Sequence, residues 1–320
     1  MPGGGETRDP SQMHDAVQST PYVLRLLRPA ETAKWALRYA PRIDGGMVGA
    51  VRVPMDSERD RASAAVRVPG ITAWFWIVKI LTTGAGETTS DFLGKEFSHA
   101  LVALVCGAAF IGALVLQFRM RRYHAWPYWL AVSMVAIVGT MAADVVHALG
   151  IPYLWSTLLL AVALAAIFFA WHRSEGTLSI HSITNARRER FYWGAVIITF
   201  ALGTAAGDMT ATTFNWGYLG SGIAFTIAIL AIWLVNLLIS RARGRGRSSG
   251  AEGGVLAFWL AYILTRPLGA SFADWMGEPR AKGGLEWGGG TVSIIMFAVI
   301  IVLVGFLAKT RVDVQAEPSA

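Results

Sequence analysis

Eight apolar runs, each close to twenty residues long, follow one another along the chain from about residue 70 onward. They cover roughly residues 72–93, 97–118, 127–147, 152–171, 191–210, 219–240, 255–276 and 291–308. A helix needs ~20 apolar residues to cross the hydrocarbon layer of a membrane. The runs do not alternate polar and apolar residues, as the strands of a membrane barrel do. The sequence therefore predicts an all-α membrane protein with eight transmembrane helices.

The composition agrees with lipid as the solvent of these helices. Hydrophobic residues make up 54% of the chain, charged residues only 15%, and the mean hydropathy is +0.47. A soluble domain carries about 25% charged residues. The net charge of +7 does not indicate nucleic acid, because the arginines lie between the apolar runs rather than along one face. The single cysteine, Cys106, excludes an intrachain disulfide and argues against a thiolate metal cluster.

The connections between the runs differ in basic content, and this predicts orientation. Connections after the odd-numbered runs hold only Lys95, Arg280 and Lys282. The other connections and the tail after the last run are rich in basic residues: Arg119, Arg121, Arg122, Arg173, Arg187, Arg188, Arg190, Arg241, Arg243, Arg245, Arg247, Lys309 and Arg311. The positive-inside rule then places both termini in the cytoplasm. The basic stretch at 241–247 is expected to contact anionic lipid rather than nucleic acid.

The two ends of the chain differ from the apolar part. Residues 1–68 hold ten of the 28 basic residues and no long apolar run. We expect a polar, disordered N-terminal tail there, with a weak amphipathic helix at 22–39 as the alternative. Residues 311–320 are expected to form a cytoplasmic tail, which leaves 70–310 as the membrane domain. Since the organised part starts only near Ile71, a start of translation at Met55 is a further hypothesis.

The odd-numbered runs share one motif, which occurs four times. A tryptophan begins it, a glycine follows ten residues later and an aspartate fifteen residues later. The tryptophans are Trp76, Trp129, Trp193 and Trp259, the glycines are Gly86, Gly139, Gly203 and Gly269, and the aspartates are Asp91, Asp144, Asp208 and Asp274. Fixed spacing in four copies identifies a tandem repeat of two helices. The sequence predicts four parallel helix-hairpin repeats, with the motif helices inside and the even-numbered helices outside.

Three motif segments carry a resemblance to a known family: ITAWFWIVKILTTGAGETTSDFL (71–93), YWGAVIITFALGTAAGDMTA (192–211) and FWLAYILTRPLGASFADWMG (258–277). They resemble a bacterial family of uncharacterised membrane-anchored proteins, defined by a tandem repeat of unknown function with two transmembrane segments and a tryptophan per copy. The resemblance covers roughly residues 70–310, and the second repeat departs most, with Thr140 and no charged partner. It implies a four-repeat protein of the bacterial cytoplasmic (inner) membrane, and it implies no activity.

Ionisable side chains inside the predicted spans are the candidates for function, because each is costly in lipid unless it reaches water or a partner. The odd-numbered spans hold two bases, Lys79 and Arg266, and five acids: Glu87, Asp91, Asp144, Asp208 and Asp274. The excess of acids predicts an ion or proton pathway formed by these acids and Arg266. Hard cations such as Mg²⁺ or Mn²⁺ prefer oxygen ligands. The expected metal ligands are Glu87, Asp91, Asp208 and Asp274.

Each of these residues also has a structural interpretation. Fifteen residues of helix place each motif aspartate ~22 Å from its tryptophan, near the outer interface, where solvation alone explains an acid. Glu87 is expected to pair with Arg266, as a fixed ion pair or as a gating pair. Lys79 is expected to extend to the cytoplasmic interface. The motif tryptophans are expected to be interface anchors, and the motif glycines points of close helix packing.

The sequence contains no nucleotide-binding glycine loop and no hydrolase, metalloprotease or CxxC motif, so we expect no enzymatic activity. It predicts a multi-pass transporter or channel for a small cation, such as the divalent metal manganese, with proton coupling as an option. The alternative is a structural or partner-binding membrane protein that transports nothing. A haem carrier is disfavoured, since the odd-numbered spans offer only His147 as a ligand. The expected partners are membrane lipid and a cation that is substrate rather than resident cofactor.

Overall fold

The computed structural model describes residues 66–242 and 250–315, which form long helices joined by short connections. The long helices in these ranges are α1 (Ala73–Glu96), α2 (His99–Arg119), α3 (Ala125–Ala148), α4 (Tyr153–Glu175), α5 (Ala186–Asp208), α6 (Gly217–Ala242), α7 (Gly250–Gly277) and α8 (Gly289–Thr310). A π-helical segment, Met209–Thr213, continues α5, and short 3₁₀ turns occur at Ile180–Ser182 and Arg280–Lys282. The all-helical prediction is confirmed for the described residues.

Polar caps mark where several helices begin. The side chains of Thr72, Ser98 and Asn185 each accept a hydrogen bond from a backbone N–H in the first turn of α1, α2 and α5. Such caps satisfy donors that a helix start leaves without partners. Helix α4 ends at Glu175 and is followed by Gly176, which has a left-handed φ of 69° that glycine adopts without steric cost. Helix boundaries therefore follow local sequence signals.

Seven of the long helices in the described residues, α2 to α8, are long and apolar enough to cross a membrane. The remaining one, α1, has a polar centre that includes Lys79, Glu87 and two adjacent pairs of threonines. Lys79, Glu87 and all but one of these threonines are buried, so the helix turns its polar centre away from its surroundings. The chain is a multi-pass membrane protein.

The motif helices α1, α3, α5 and α7 form an inner ring, in which each contacts the next and α7 contacts α1. In α3, α5 and α7, 56–61% of the apolar 18-residue stretch of each helix is buried. In the outer helices α2, α4, α6 and α8, only 6–28% of the corresponding stretch is buried. Their exposed leucines, isoleucines and valines form an apolar surface of the kind that lipid requires. The predicted division into inner and outer helices agrees with this contact pattern.

The packing of the outer helices differs from the predicted hairpins. The two long helices of one repeat hardly touch; instead α2 packs on α3, α4 on α5, α6 on α7, and α8 on α1. A hairpin therefore describes the order of helices along the chain but not the contacts between them. Each outer helix covers the inner helix of the following repeat, and this links neighbouring repeats around the ring as in other repeat architectures.

The motif glycines bring the inner helices close together, as predicted. A Cβ added at any of the four would lie only 1.8–2.9 Å from an atom of the next inner helix. The contacts are Gly86 with Ala136, Gly139 with Phe200, Gly203 with Arg266, and Gly269 with Thr83. Each partner lies seven residues after the tryptophan of its own motif. The same contact repeated four times requires the inner helices to run parallel and at the same height.

One end of the ring, the tryptophan end, is filled by aromatic side chains. Trp129, Trp193 and Trp259 are 1–3% exposed, and only Trp76 is half-buried. They pack with an aromatic layer contributed by all four inner helices: Phe75, Tyr128, Tyr192, Phe258 and Tyr262. The prediction that these tryptophans are interface anchors is wrong, because three of them face the interior. The opposite end, where the motif aspartates lie, is the aspartate end.

Residues 66–70 and 311–315 pack against the tryptophan end. The N–H of Gly70 donates to the carbonyl of Asp313 (2.7 Å), and Arg67 forms an ion pair with the buried Glu189 (2.7 Å). The packed part of the described chain thus extends beyond both predicted boundaries, 70 and 310. The predictions for residues 1–65, including Met55, for most of the basic stretch 241–247 and for 316–320 lie outside the described residues.

Candidate metal centre

Three carboxylates from three inner helices meet near the aspartate end. Glu87 of α1, Asp208 at the end of α5 and Asp274 of α7 each offer one oxygen, and these oxygens lie within 4.8 Å of one another. Glu87 and Asp274 are buried, and Asp208 is half-buried. Three of the four residues predicted as metal ligands therefore lie together. We call Glu87, Asp208 and Asp274 the carboxylate cluster.

Arg266 of α7 lies beside this cluster and is fully buried. Its guanidinium donates to the Glu87 carboxylate (2.5 Å), the Thr204 hydroxyl (2.7 Å), the Thr83 carbonyl (3.1 Å) and the Thr140 hydroxyl. The ion pair with Glu87 is the one that the sequence predicts. Glu87, Thr140 and Thr204 all lie eleven residues after their motif tryptophans. Equivalent positions of three repeats thus converge on one guanidinium.

Gly203 makes room for the Arg266 side chain, and Phe200 packs beside it. Gly203 faces it so closely that an added Cβ would lie 2.3 Å from the arginine Cγ. Phe200, one turn before Gly203, places its ring 5.5 Å from the guanidinium carbon. The motif glycine of the third repeat is therefore needed for the arginine of the fourth.

The carboxylate cluster carries more negative charge than Arg266 neutralises. If all are ionised, three carboxylates and one guanidinium leave two negative charges uncompensated at a largely buried place. Carboxylates this close disfavour each other's ionised form, unless a cation or protons lie between them. Oxygens on opposite sides of an ion are ~4.0–5.2 Å apart, given bonds of 2.0–2.6 Å for Mg²⁺ and Ca²⁺. The separations in the cluster fall within that upper limit.

The other two predicted acids are not part of the cluster. Asp91 is half-buried and lies 3.7 Å from the Lys95 ammonium, one turn further along α1. Asp144 is exposed. Both line a cavity of about 600 Å³ between α1, α2 and α3, together with His99. The prediction of Asp91 as a metal ligand is thus not matched by its position, since its carboxylate is not among those that meet within 4.8 Å and forms an ion pair with Lys95 instead.

Glu278, which the sequence analysis missed, bridges the aspartate end. It follows α7 and accepts hydrogen bonds from Lys95 of α1 (2.9 Å) and from Lys282 (2.8 Å). Burial alone would raise the pKa of the Glu278 carboxyl, but the two lysines outweigh burial and hold the pKa below its ordinary value. Glu278 lies in a connection outside the motif, so no repeated position indicated it.

The helix breaks next to one member of the cluster. Directly after Asp208 the backbone passes into the π-helical segment Met209–Thr213, and the Thr212 hydroxyl donates to the Asp208 carbonyl (2.6 Å). Such π-segments often occur at functional sites in helices. In contrast, Asp91, Asp144 and Asp274 lie within continuous α-helix. The third repeat thus differs from the others at its aspartate.

Lys79 of α1 is buried in the interior of the ring, and the prediction that it extends to the interface is wrong. Its side chain is fully buried, and its Nζ has no hydrogen-bond partner among the described residues. The Nζ lies 4.1 Å from the centre of the Phe200 ring and 4.4 Å from that of Tyr262. The residues at the same motif position in the other repeats, Val132, Val196 and Tyr262, are also fully buried. Because that position holds valine or tyrosine in the other three repeats, the repeat pattern in the sequence already indicates burial of Lys79.

Comparison with known proteins identifies the repeat. A family model described as Repeat of Unknown Function (DUF347) matches four consecutive segments, residues 74–123, 127–177, 191–242 and 257–313. Each segment covers most of the inner helix and the whole outer helix of one repeat. No curated protein and no solved structure matches the chain.

Proposed function

Since the chain belongs to the DUF347 family of repeats of unknown function, we propose a function from the site itself: membrane transport of a small cation. The substrate that fits best is a divalent metal such as Mn²⁺, bound by the carboxylate cluster. The protein is in this proposal not an enzyme. The path of the ion follows the axis of the inner ring, because the cluster and Arg266 lie between the inner helices.

The proposal includes the placement in the membrane. All eight long helices span it, including α1, whose polar residues are buried between the other inner helices. Both termini face the cytoplasm, because the basic connections lie at the tryptophan end. The aspartate end, near which the carboxylate cluster lies, then faces outward.

The single observation that carries the proposal is the meeting of Glu87, Asp208 and Asp274 within 4.8 Å. Acids in a membrane interior are costly, and three together are costlier still without a positive partner. Arg266 supplies one positive charge, and the two uncompensated charges equal the charge of one divalent ion. Carboxylate oxygens are also the ligands that hard cations prefer.

The rival function, a structural or partner-binding membrane protein, also has support in the geometry. The aromatic layer fills the ring at the tryptophan end, and several hydrogen bonds hold Arg266 in place. A transporter must open this layer during its cycle, whereas a structural protein need not. The rival therefore predicts no cation flux at all.

The test is Mn²⁺ flux into liposomes that contain the purified protein, read by a metal-sensitive dye. We expect uptake above that of protein-free liposomes, and a return to background in Asp208→Asn and Asp274→Asn. Asp144→Asn is the matched control, because it changes the same motif position on an exposed side chain outside the cluster. Wild-type flux no greater than background, or full flux in Asp274→Asn, would refute the proposal.

A further inference from the structure

Two inner helices carry the same order of charged residues at the aspartate end. In each, an acid of the carboxylate cluster is followed after four residues by a second acid and after eight residues by a lysine. The residues are Glu87, Asp91 and Lys95 in α1, and Asp274, Glu278 and Lys282 in α7 and the connection after it. The N–H of Glu278 donates to the Asp274 carbonyl (2.8 Å), so the helical spacing continues to Glu278. Each second acid therefore lies about one turn further along its helix than the cluster acid does.

The two second acids, Asp91 and Glu278, share one ammonium group, and we call them the outer pair. The Lys95 Nζ lies 2.9 Å from one oxygen of Glu278 and 3.7 Å from the Asp91 carboxylate. The Lys282 Nζ lies 2.8 Å from the other oxygen of Glu278. Because one ammonium reaches both acids, the carboxylates of the outer pair lie near each other. Two lysine charges balance the two acids, and one divalent ion carries the same charge.

The acids of the outer pair are held in place, whereas the lysines reach into water. The side chain of Glu278 is only 10% exposed, and its backbone carbonyl accepts a hydrogen bond from the N–H of Glu286 (2.9 Å). The side chains of Lys95 and Lys282 are 63% and 61% exposed. A lysine has a flexible stem and a strongly hydrated ammonium group, and an exposed ion pair contributes little free energy. The lysines can therefore leave the outer pair at low cost.

There is space beside the outer pair for an ion and for a displaced lysine. Asp91 and Lys95 line the cavity of about 600 Å³ between α1, α2 and α3. A water molecule takes up ~30 Å³ in the liquid, and small divalent ions keep several waters when they bind to proteins. An ion with part of its water shell thus fits beside Asp91 without a change in the backbone.

We propose that the outer pair is an entry site for the divalent cation, and that Lys95 and Lys282 balance its charge until the cation arrives. This inference rests on the proposed function. The arriving cation displaces the two ammonium groups into water and binds carboxylate oxygens of Asp91 and Glu278. It then moves on to the carboxylate cluster, and the lysines return to the outer pair. Asp91 is in this proposal a ligand of the step before the cluster rather than of the cluster itself.

The entry site differs from a purely structural role of the same ion pairs in the sign of its effects. Removal of an acid and removal of a lysine both break an ion pair, so a structural role predicts the same change for both. At an entry site, by contrast, the acid attracts the cation and the lysine competes with it. Removal of Asp91 then weakens uptake at low cation concentration, and removal of Lys95 strengthens it.

The test is the dependence of Mn²⁺ flux on Mn²⁺ concentration in liposomes, which gives the KM and the maximal rate. We expect Asp91→Asn to raise the KM and Lys95→Met to lower it, each by up to about fivefold, the change that corresponds to one partly exposed ion pair. The maximal rate is expected to stay close to that of the wild type, because the cluster is intact. Lys282→Met is expected to lower the KM as Lys95→Met does. Arg280→Met is the matched control, because it removes a positive charge from the same connection at a side chain paired with Glu286 instead.

The outcomes separate the two proposals. Absence of Mn²⁺ flux in the wild type would overturn the proposed function and the entry site with it. Wild-type flux in which Asp91→Asn and Lys95→Met shift the KM in the same direction, or not at all, would overturn the entry site and leave the proposed function standing. An equal decrease of the KM in Arg280→Met would also overturn it, since any surface charge would then have the same effect. Both variants of the outer pair are expected to melt within about 4 °C of the wild type, so a folded protein is compared in each case.

Discussion

Removal of Arg266 is the change from which we expect the largest loss of stability. The Arg266→Met substitution deletes a fully buried guanidinium and leaves the Glu87 carboxylate, 4% exposed, with the Thr140 hydroxyl as its donor. An uncompensated buried charge of this kind costs ~3–5 kcal/mol. Replacement of both members of a buried ion pair by neutral groups of similar volume is, by contrast, often close to neutral. The double variant Glu87→Gln/Arg266→Met is therefore expected to recover most of the stability.

The free energy converts into a measurable shift of the melting temperature. For 150–250 ordered residues, 1 kcal/mol corresponds to ~2–4 °C. The single variant Arg266→Met is thus expected to melt ~6–20 °C below the wild type, and the double variant within a few degrees of it. The assay is thermal unfolding of the full chain in detergent without added metal, followed by circular dichroism. The exposed Arg173 of α4 provides the control Arg173→Met, for which we expect a change within ~0.5 kcal/mol.

Two results would refute this reasoning. If Arg266→Met melts with the wild type, the guanidinium is not compensating a buried charge. If the double variant loses as much stability as Glu87→Gln and Arg266→Met lose separately when added together, Glu87 and Arg266 do not act as a pair.

Two further predictions concern the ring and its aspartate end. Gly86→Ala forces a Cβ to within 2.3 Å of Ala136 and is expected to lower the free energy of unfolding by ~1–3 kcal/mol. Gly94→Ala in the same helix is the control, because its added Cβ meets no atom within 4 Å and is expected to be neutral or stabilising. Equal melting temperatures for the two variants would contradict the close-packing role of Gly86. Because the pKa of Glu278 is lowered in the folded state, its ion pairs with Lys95 and Lys282 contribute stability above the ordinary pKa of 4.5 and lose it as the pH falls below that value. Glu278→Gln is therefore expected to lower the melting temperature at neutral pH, with a difference from wild type that shrinks in acid; a difference independent of pH would show that these ion pairs do not stabilise the protein.

The sequence by itself determined the helices, the repeat and much of the ring. Runs of apolar residues set helix length, because the thickness of the membrane is fixed. The recurrence of tryptophan, glycine and aspartate placed the inner helices in one register, and from that register the pairing of Glu87 with Arg266 and the close packing at Gly86 follow. These features depend on spacing along the chain, which the sequence contains directly.

Only the tertiary structure decided which face of each helix points to the ring axis and which helices touch across repeats. The sequence gives the height of a residue in the membrane but not its direction around the helix axis. For that reason the sequence predicts Lys79 and Trp193 at the interface, whereas the structure buries both in the ring. For the same reason Asp208 joins Glu87 and Asp274, while Asp144 at an equivalent height remains exposed. The packing of each outer helix on the next repeat is likewise a property of the closed ring, since only ring closure brings α8 against α1.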